Sequence, residues 1–200
     1  GLASITLLSP ATGIAGEPVF TLEAETEELA TCRHGPAGTA YDDMEDMTTS
    51  LVTNHQTTLD IDDYPGVFTN DEQDEAQWEI LCANNQDELD SLTFNLGYDL
   101  TPPLVNLVLS QNPVVDATDM TTELTVTTDD PTICTYTNEE GEVAPFQPYE
   151  YTNPNTYTFQ HSTTLDFASE TSSTHDLDVS CLNLGGREGE ASEDITLAPT

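Results

Sequence analysis

Four cysteines and four histidines are the residues of this 200-residue chain whose types and spacing suggest chemistry. Cys32 and Cys82 lie 50 residues apart, and Cys134 and Cys181 lie 47 apart. A metal site would want a CxxC-like spacing or histidines nearby, so one disulfide within each pair fits better. Such bridges persist in an oxidising compartment, which places the chain outside the cell or on its surface. His55 and His161 each lead into a Thr-Thr-Leu-Asp run in separate halves of the chain. That separation assigns them structural hydrogen bonding near a strand edge rather than shared acid–base work. His34 stands where the second half has Tyr136, a packing position. No GxSxG elbow and no glycine-rich phosphate loop occurs. With 38 Asp and Glu, carboxylate pairs arise by chance, so no catalytic dyad is assigned and the chain reads as a non-enzyme.

Hard oxygen ligands are abundant enough to raise calcium as the one candidate cofactor. The clusters are Asp60-Ile61-Asp62-Asp63, Asp42-Asp43 with Glu45-Asp46, and Asn84-Asn85 with Asp87, Glu88 and Asp90. None has EF-hand spacing, and they read mainly as solvated acidic faces. A calcium ion, if one is held, is expected where loops meet near Asp99.

The elements that must position these residues are written twice. Sliding the chain by 102 places lays Ile5, Leu7, Phe20, Leu22, Ala24, Cys32 and His34 over Leu107, Leu109, Thr122, Leu124, Val126, Cys134 and Tyr136. His55 to Asp60 recurs as His161 to Asp166 at an offset of 106, and Trp78-x-Ile80-x-Cys82 as Leu177-x-Val179-x-Cys181 at 99. A period near 100 residues suits a small domain, and the drifting offset places insertions in loops. Two domains are therefore expected, 1–101 and 102–200, joined at Leu100-Thr101-Pro102-Pro103, whose prolines stiffen the link into an elongated rod.

Helical periodicity is almost absent, while apolar residues alternate with Thr, Glu or Asp throughout, which predicts an all-β chain. Strands are predicted at 4–9, 19–26, 30–34, 48–61 with a break allowed inside it, 77–83 and 91–97. The second half gives 104–110, 122–128, 132–137, 157–167, 176–183 and 193–197. Phe20, Leu22 and Ala24, and likewise Trp78, Ile80 and Cys82, are assigned to the core face. Turns are predicted at Glu27-Glu28-Leu29 and Asp129-Asp130-Pro131. Short strands at this density around a buried cystine predict a two-sheet sandwich in each half.

Charge is the other extreme: 38 acidic residues face Arg33 and Arg187 as the only Lys or Arg, for a net charge of -36. Nucleic acid and anionic membranes are excluded as partners, because both need clustered cations. Self-repulsion of this size suits brine, acid, or divalent counter-ions. No run of 18 apolar residues spans a membrane. The first residue is glycine, which is read as a chain whose secretion signal has been removed. Outward threonines suit strand exteriors or O-linked sugar, and the N-x-S/T sequon does not occur.

Each half resembles the tandem immunoglobulin-like repeats of archaeal and bacterial cell-surface and filament proteins. The resemblance rests on Thr132-Ile133-Cys134-Thr135-Tyr136, His161 and Asp178-Val179-Ser180-Cys181, and it covers nearly the whole chain. It departs from the antibody pattern, because the first cysteine follows the second strand and no tryptophan accompanies it. The bridge is accordingly expected between neighbouring strands of one sheet.

The leading expectation is a structural subunit of an extracellular, pilus-like filament or a surface layer, joining copies of itself head to tail. Sandwich edges or terminal strands would make the joint, with Leu2, Ile5 and Leu7 of the first strand or Ile195 and Leu197 of the last as candidates. Leu197-Ala198-Pro199-Thr200 resembles the linker at Leu100-Thr101-Pro102, so the repeat is expected to continue beyond residue 200. The alternative is an adhesin, with loops 39–47 and 145–155 recognising a glycan or a protein. Phe146-Gln147-Pro148-Tyr149-Glu150-Tyr151 is its natural binding stretch, although alternating core aromatics explain it more simply. An accessory domain of a secreted enzyme is the third reading.

Overall fold

The computed structural model describes residues 4–146, 150–167 and 172–200. The candidate assembly residue Leu2 lies outside them. The chain divides into two compact units, Gly1–Thr101 and Pro102–Thr200. Among the described residues the regular structure is strand apart from three single 3-10 turns, in keeping with the all-β expectation.

Unit 1 contains β1 (Ile5–Ser9), β2 (Ile14–Ala15), β3 (Val19–Pro36), β4 (Glu45–Asp46), β5 (Val52–Asp60), β6 (Gln73–Asn84) and β7 (Leu89–Asp99). The first half of β3 pairs with β1 on one side and β5 on the other. Its second half pairs with β4 and β6, after which come β7 and then β2, the last pair being parallel. One long strand thus belongs to both layers of a curled sheet. Unit 2 repeats the plan with β8 (Val105–Leu109), β9 (Thr121–Thr137), β10 (Val143–Pro145), β11 (Thr158–Asp166), β12 (Ser173–Asn183) and β13 (Glu188–Leu197). Here β8 and β11 flank the first half of β9, while β10 and β12 flank the second, and β13 follows β12.

The turns predicted at Glu27-Glu28-Leu29 and Asp129-Asp130-Pro131 are not turns. Both segments run inside β3 and β9 as wide bulges, where Glu25 and Ala30 face Asn54 and Val52, and Thr127 and Thr132 face Gln160 and Thr158. A bulge bends a strand and increases its twist, which lets one strand leave the first layer and enter the second. Thr26 and Thr128 hold this corner by donating their hydroxyls to the carbonyls of Glu28 and Asp130 at 2.8 and 2.7 Å. Even-numbered residues from Leu22 to His34 keep facing inward on both sides of the corner, Glu28 at the bend excepted. Loop-forming Asp and Pro are tolerated because a bulge leaves backbone groups outside the ladder.

The first strand of each unit also changes layer. After β1 the chain passes a cis Ser9–Pro10 bond and pairs again as β2 beside β7, and after β8 it passes cis Asn112–Pro113 and bridges Val114 to Leu197. Gly13 permits the crossing in unit 1: its φ is +84°, and a Cβ there would overlap the Asn95 carbonyl oxygen. Around Trp78, unit 1 packs Leu22, Leu59, Ile80 and Leu96, and unit 2 packs Leu124, Leu165, Phe167, Leu177 and Ile195.

Cys32 faces Cys82 across β3 and β6, and Cys134 faces Cys181 across β9 and β12; each pair is a disulfide with Cα atoms 4.1 Å apart. The Cys32 carbonyl accepts from Met47 N–H at 2.9 Å, so its backbone polar groups point away from β6. That makes the cysteines a non-hydrogen-bonded cross-strand pair, the closer of the two antiparallel pairings. The bridge therefore staples neighbours within one layer.

Candidate functional site

Of the four histidines, His34 and His55 are buried in the interior, and His161 and His175 are half-buried. His34, at 2% exposure, stacks on Trp78 with ring centroids 5.9 Å apart, and its Nδ1 accepts from the Trp78 indole N–H at 3.3 Å. Burial pulls its pKa from 6.5 down to about 4. A neutral ring is what the indole requires, since imidazolium has no acceptor. His55 on β5 is fully buried, with Nε2 at 3.0 Å from the Thr26 hydroxyl and Nδ1 at 2.7 Å from that of Thr48. Its counterpart His161 on β11 places Nε2 3.1 Å from the Thr132 hydroxyl. Burial lowers both, partly opposed at His161 by contacts to Thr158 and Thr132. The contacts tie strand β5 to the corner of β3, and β11 to that of β9. The partners of these three rings are an indole and threonine hydroxyls, and each bond joins segments of the same unit.

Each of His34, His55 and His161 has a folded pKa below its unfolded value. The unfolded state then binds more protons between the two values, and stability falls as pH drops through that interval. The stabilisation is fully present above about pH 6.5 and, for His34, is lost progressively down to about pH 4. Between pH 6.5 and 5, His34 alone is expected to remove about 2 kcal/mol. Urea unfolding in molar salt, where carboxylate repulsion is screened, reads this slope. His34→Asn should reduce it, leaving the part that His55 and His161 contribute, and an unchanged slope would refute the assignment.

The acidic clusters have internal work. Asp46 and Asp42 lie 2.9 and 3.8 Å from the Arg33 guanidinium, which also covers the Tyr41 ring at 4.6 Å. Asp60 caps the 3-10 turn Ile61–Asp63 by accepting from Asp62 N–H. Asn84 closes the turn before β7 by accepting from the N–H groups of Gln86 and Glu88, and Asp99 accepts from Thr101. Among the described residues no group of three or more His, Cys, Asp or Glu is placed to hold a metal ion.

Two shallow clefts mark the outer face of the larger layer of unit 2. The first, about 320 Å³, is floored by Thr135, Thr137, Asp178 and Ser180 and walled by Val143. The second, about 130 Å³, adds Ile133, Leu182, Glu188 and Tyr151. Thr135 and Ser180 line both, and Ser180 donates to Glu188 at 2.6 Å. The stretch 146–151 splits between two roles. Phe146 is buried against Tyr136 and His161, whereas Tyr151 is half exposed in the smaller cleft. Gln147, Pro148 and Tyr149 lie outside the described residues. In loop 39–47, Thr39 caps the Pro36 carbonyl at 2.7 Å, and Met44 and Met47 turn inward.

The assembly candidates sit within their own unit. Ile5 is buried and Leu7 part-buried on β1, paired with β3. Ile195 and Leu197 are core residues of β13, and Leu197 also bridges Val114. The order of residues alone does not say which strands are left at an edge. Those strands are β1 and β5 in unit 1, and β8 and β11 in unit 2, each paired on one side only among the described residues of the smaller layer.

Three strands facing four or five, with one strand shared at a corner, define an immunoglobulin-like or fibronectin(III)-like β-sandwich repeat. The fibronectin(III)-like modules of Clostridium thermocellum CbhA are similar in fold, with a TM-score of 0.50 at 12% identity, covering 98% of this chain and 95% of theirs. Murine CEACAM1b is also similar, with a TM-score of 0.42, 11% identity and coverage of 98% and 100%. The tetra-tandem repeat in the extending region of a large adhesion protein gives 0.37 at 14% identity, covering 98% of this chain and 49% of that one. No protein-family model matches the chain. No curated protein matches it either. No helix among the described residues is long and apolar enough to cross a membrane.

Proposed function

We propose that this chain is a structural, non-enzymatic module of the cell exterior, a subunit of a filament or surface layer that associates with copies of itself. The observation that carries the reading is the open edge. The smaller layer of each unit ends in strands with no further partner among the described residues, and such edges pair readily with another chain. Two disulfides support an oxidising location. The buried neutral histidines support structure over catalysis.

Donation of a terminal strand is the less favoured route. Ile5, Leu7, Ile195 and Leu197 would have to leave a sandwich they already help to pack. Calcium or other divalent cations act in this reading as counter-ions to the acidic surface. The test is electron microscopy and light scattering of the purified chain across salt concentrations. Ordered polymers in molar salt are the expected result, and a monomer under every condition would refute it.

A second reading is favoured by the clefts on unit 2, where hydroxyls, a carboxylate and the Tyr151 ring line one surface. This combination suits a glycan or a protein partner. A persistent monomer that binds immobilised glycans, and loses binding on Tyr151→Ala, would support it over assembly.

A further inference from the structure

We infer that β8 is the strand through which unit 2 pairs with another copy of this chain, edge to edge. The inference rests on the self-associating reading above and names its contact. In a chain of net charge -36, residues 100–115 carry no charged side chain at all. Two copies repel wherever their carboxylates meet, so they approach most easily where there are none. β8 lies in the middle of this segment and forms one edge of its layer.

Its backbone is open on the outer side. Ser110 N–H donates to the Glu123 carbonyl at 2.9 Å. Antiparallel pairing alternates, so the polar groups of Val108 and Asn106 also face β9, and those of Val105, Leu107 and Leu109 face away. Two apolar side chains on or beside the strand face solvent, Leu104 at 74% and Val108 at 53% exposure.

Edge strands that must stay unpaired usually carry a charge, a proline or a bulge. β8 has none of these: its register with β9 runs unbroken from Val105 to Leu109. The other edges differ. β1 lies in residues 1–16, which are equally free of charged side chains, but its pairing is irregular between Leu7 and Ser9; β5 and β11 present mainly Thr, Gln and Asn, with Phe159 exposed on β11, and each ends in an Asp. A five-residue strand is about 17 Å long, which by itself makes a weak contact. Assembly through it therefore needs molar salt, where the screening length falls to about 3 Å.

The test compares wild type, Val108→Asp and Val143→Asp by sedimentation velocity and electron microscopy in molar salt. Val143 is 77% exposed on β10, in the other layer, and receives the same charge. Val108→Asp should raise the concentration at which assembly begins at least about tenfold, with Val143→Asp matching wild type. Leu104→Asp provides the same test should Val108→Asp fail to fold. Assembly of the folded β8 variants like wild type would overturn the β8 contact and leave self-association standing. Equal loss in Val143→Asp would also overturn it. A wild type that stays monomeric at every salt and concentration would sink the reading beneath it as well.

Discussion

Replacing Cys32 and Cys82 together by alanine is expected to lower the stability of unit 1 by about 4 kcal/mol. The bridge closes a loop spanning 50 residues, and its main effect is to deny the unfolded chain the conformations in which those ends are apart. The native state loses little in exchange. Cys32 and Cys82 are directly opposed in a ladder that runs from Ala30↔Asn84 to Pro36↔Trp78, so the backbone hydrogen bonds keep both positions in place without the bond. Cys134 and Cys181 close a span of 47, and the logarithmic dependence on loop length makes the two effects equal to within about 0.1 kcal/mol. Urea unfolding of each double variant against wild type provides the measurement. A steeper dependence on urea should accompany the loss, because the uncrosslinked unfolded chain exposes more surface. A loss below about 1 kcal/mol would show that the unfolded state is held compact by other means.

Trp78→Ala is the second large effect, expected at about 3–5 kcal/mol. Trp78 has no exposed surface and lies against three rings: His34 at 5.9 Å, Phe68 at 5.9 Å and Tyr64 edge-on at 5.0 Å. Truncation leaves a cavity between the layers and strands the His34 Nδ1 acceptor without its donor. Trp78→Phe keeps much of the volume and loses the hydrogen bond, so it should cost about 1–3 kcal/mol. Unit 2 has Leu177 at the corresponding place, so the aromatic cluster belongs to unit 1 alone. Far-UV circular dichroism during urea unfolding follows the variants, which lack the single indole. The pH slope assigned to His34 should shrink in Trp78→Ala, because a roomier site lets water reach the imidazole. Equal stability of Trp78→Ala and wild type would contradict the packing described here.

Much of this sandwich is legible in the order of its residues. The alternation in Phe20-x-Leu22-x-Ala24 and Trp78-x-Ile80-x-Cys82 marks residues that are buried or half-buried between the layers. The predicted turns fail for a specific reason. Glu27-Glu28-Leu29 and Asp129-Asp130-Pro131 have turn composition, yet the inward parity of Ala24 and Thr26 is broken only at Glu28 and resumes at Ala30, which a hairpin would not require. Parity is the signal that could have found the corner. The short strands β2, β4 and β10 carry too few residues to show a period. The fate of His55 is half legible. Its recurrence as His161 points to structure, but Thr26 and Thr48 could not be named, because they come from segments 29 and 7 residues away in sequence.

Whatever depends on near neighbours is set by the chain's own residues: the period of two that makes strands, the faces those strands bury, the duplication, the cysteine spacing and the charge. These follow from the geometry of an extended backbone and from composition, whatever partner a strand meets. Which strand lies beside which is settled only when the layers come together, and with it the two-layer course of β3 and β9, the neutral histidine rivets and the uncharged edge at β8. Pairing of that kind joins segments tens of residues apart through backbone groups that every residue shares. Side-chain identity leaves those choices open until the whole sandwich closes.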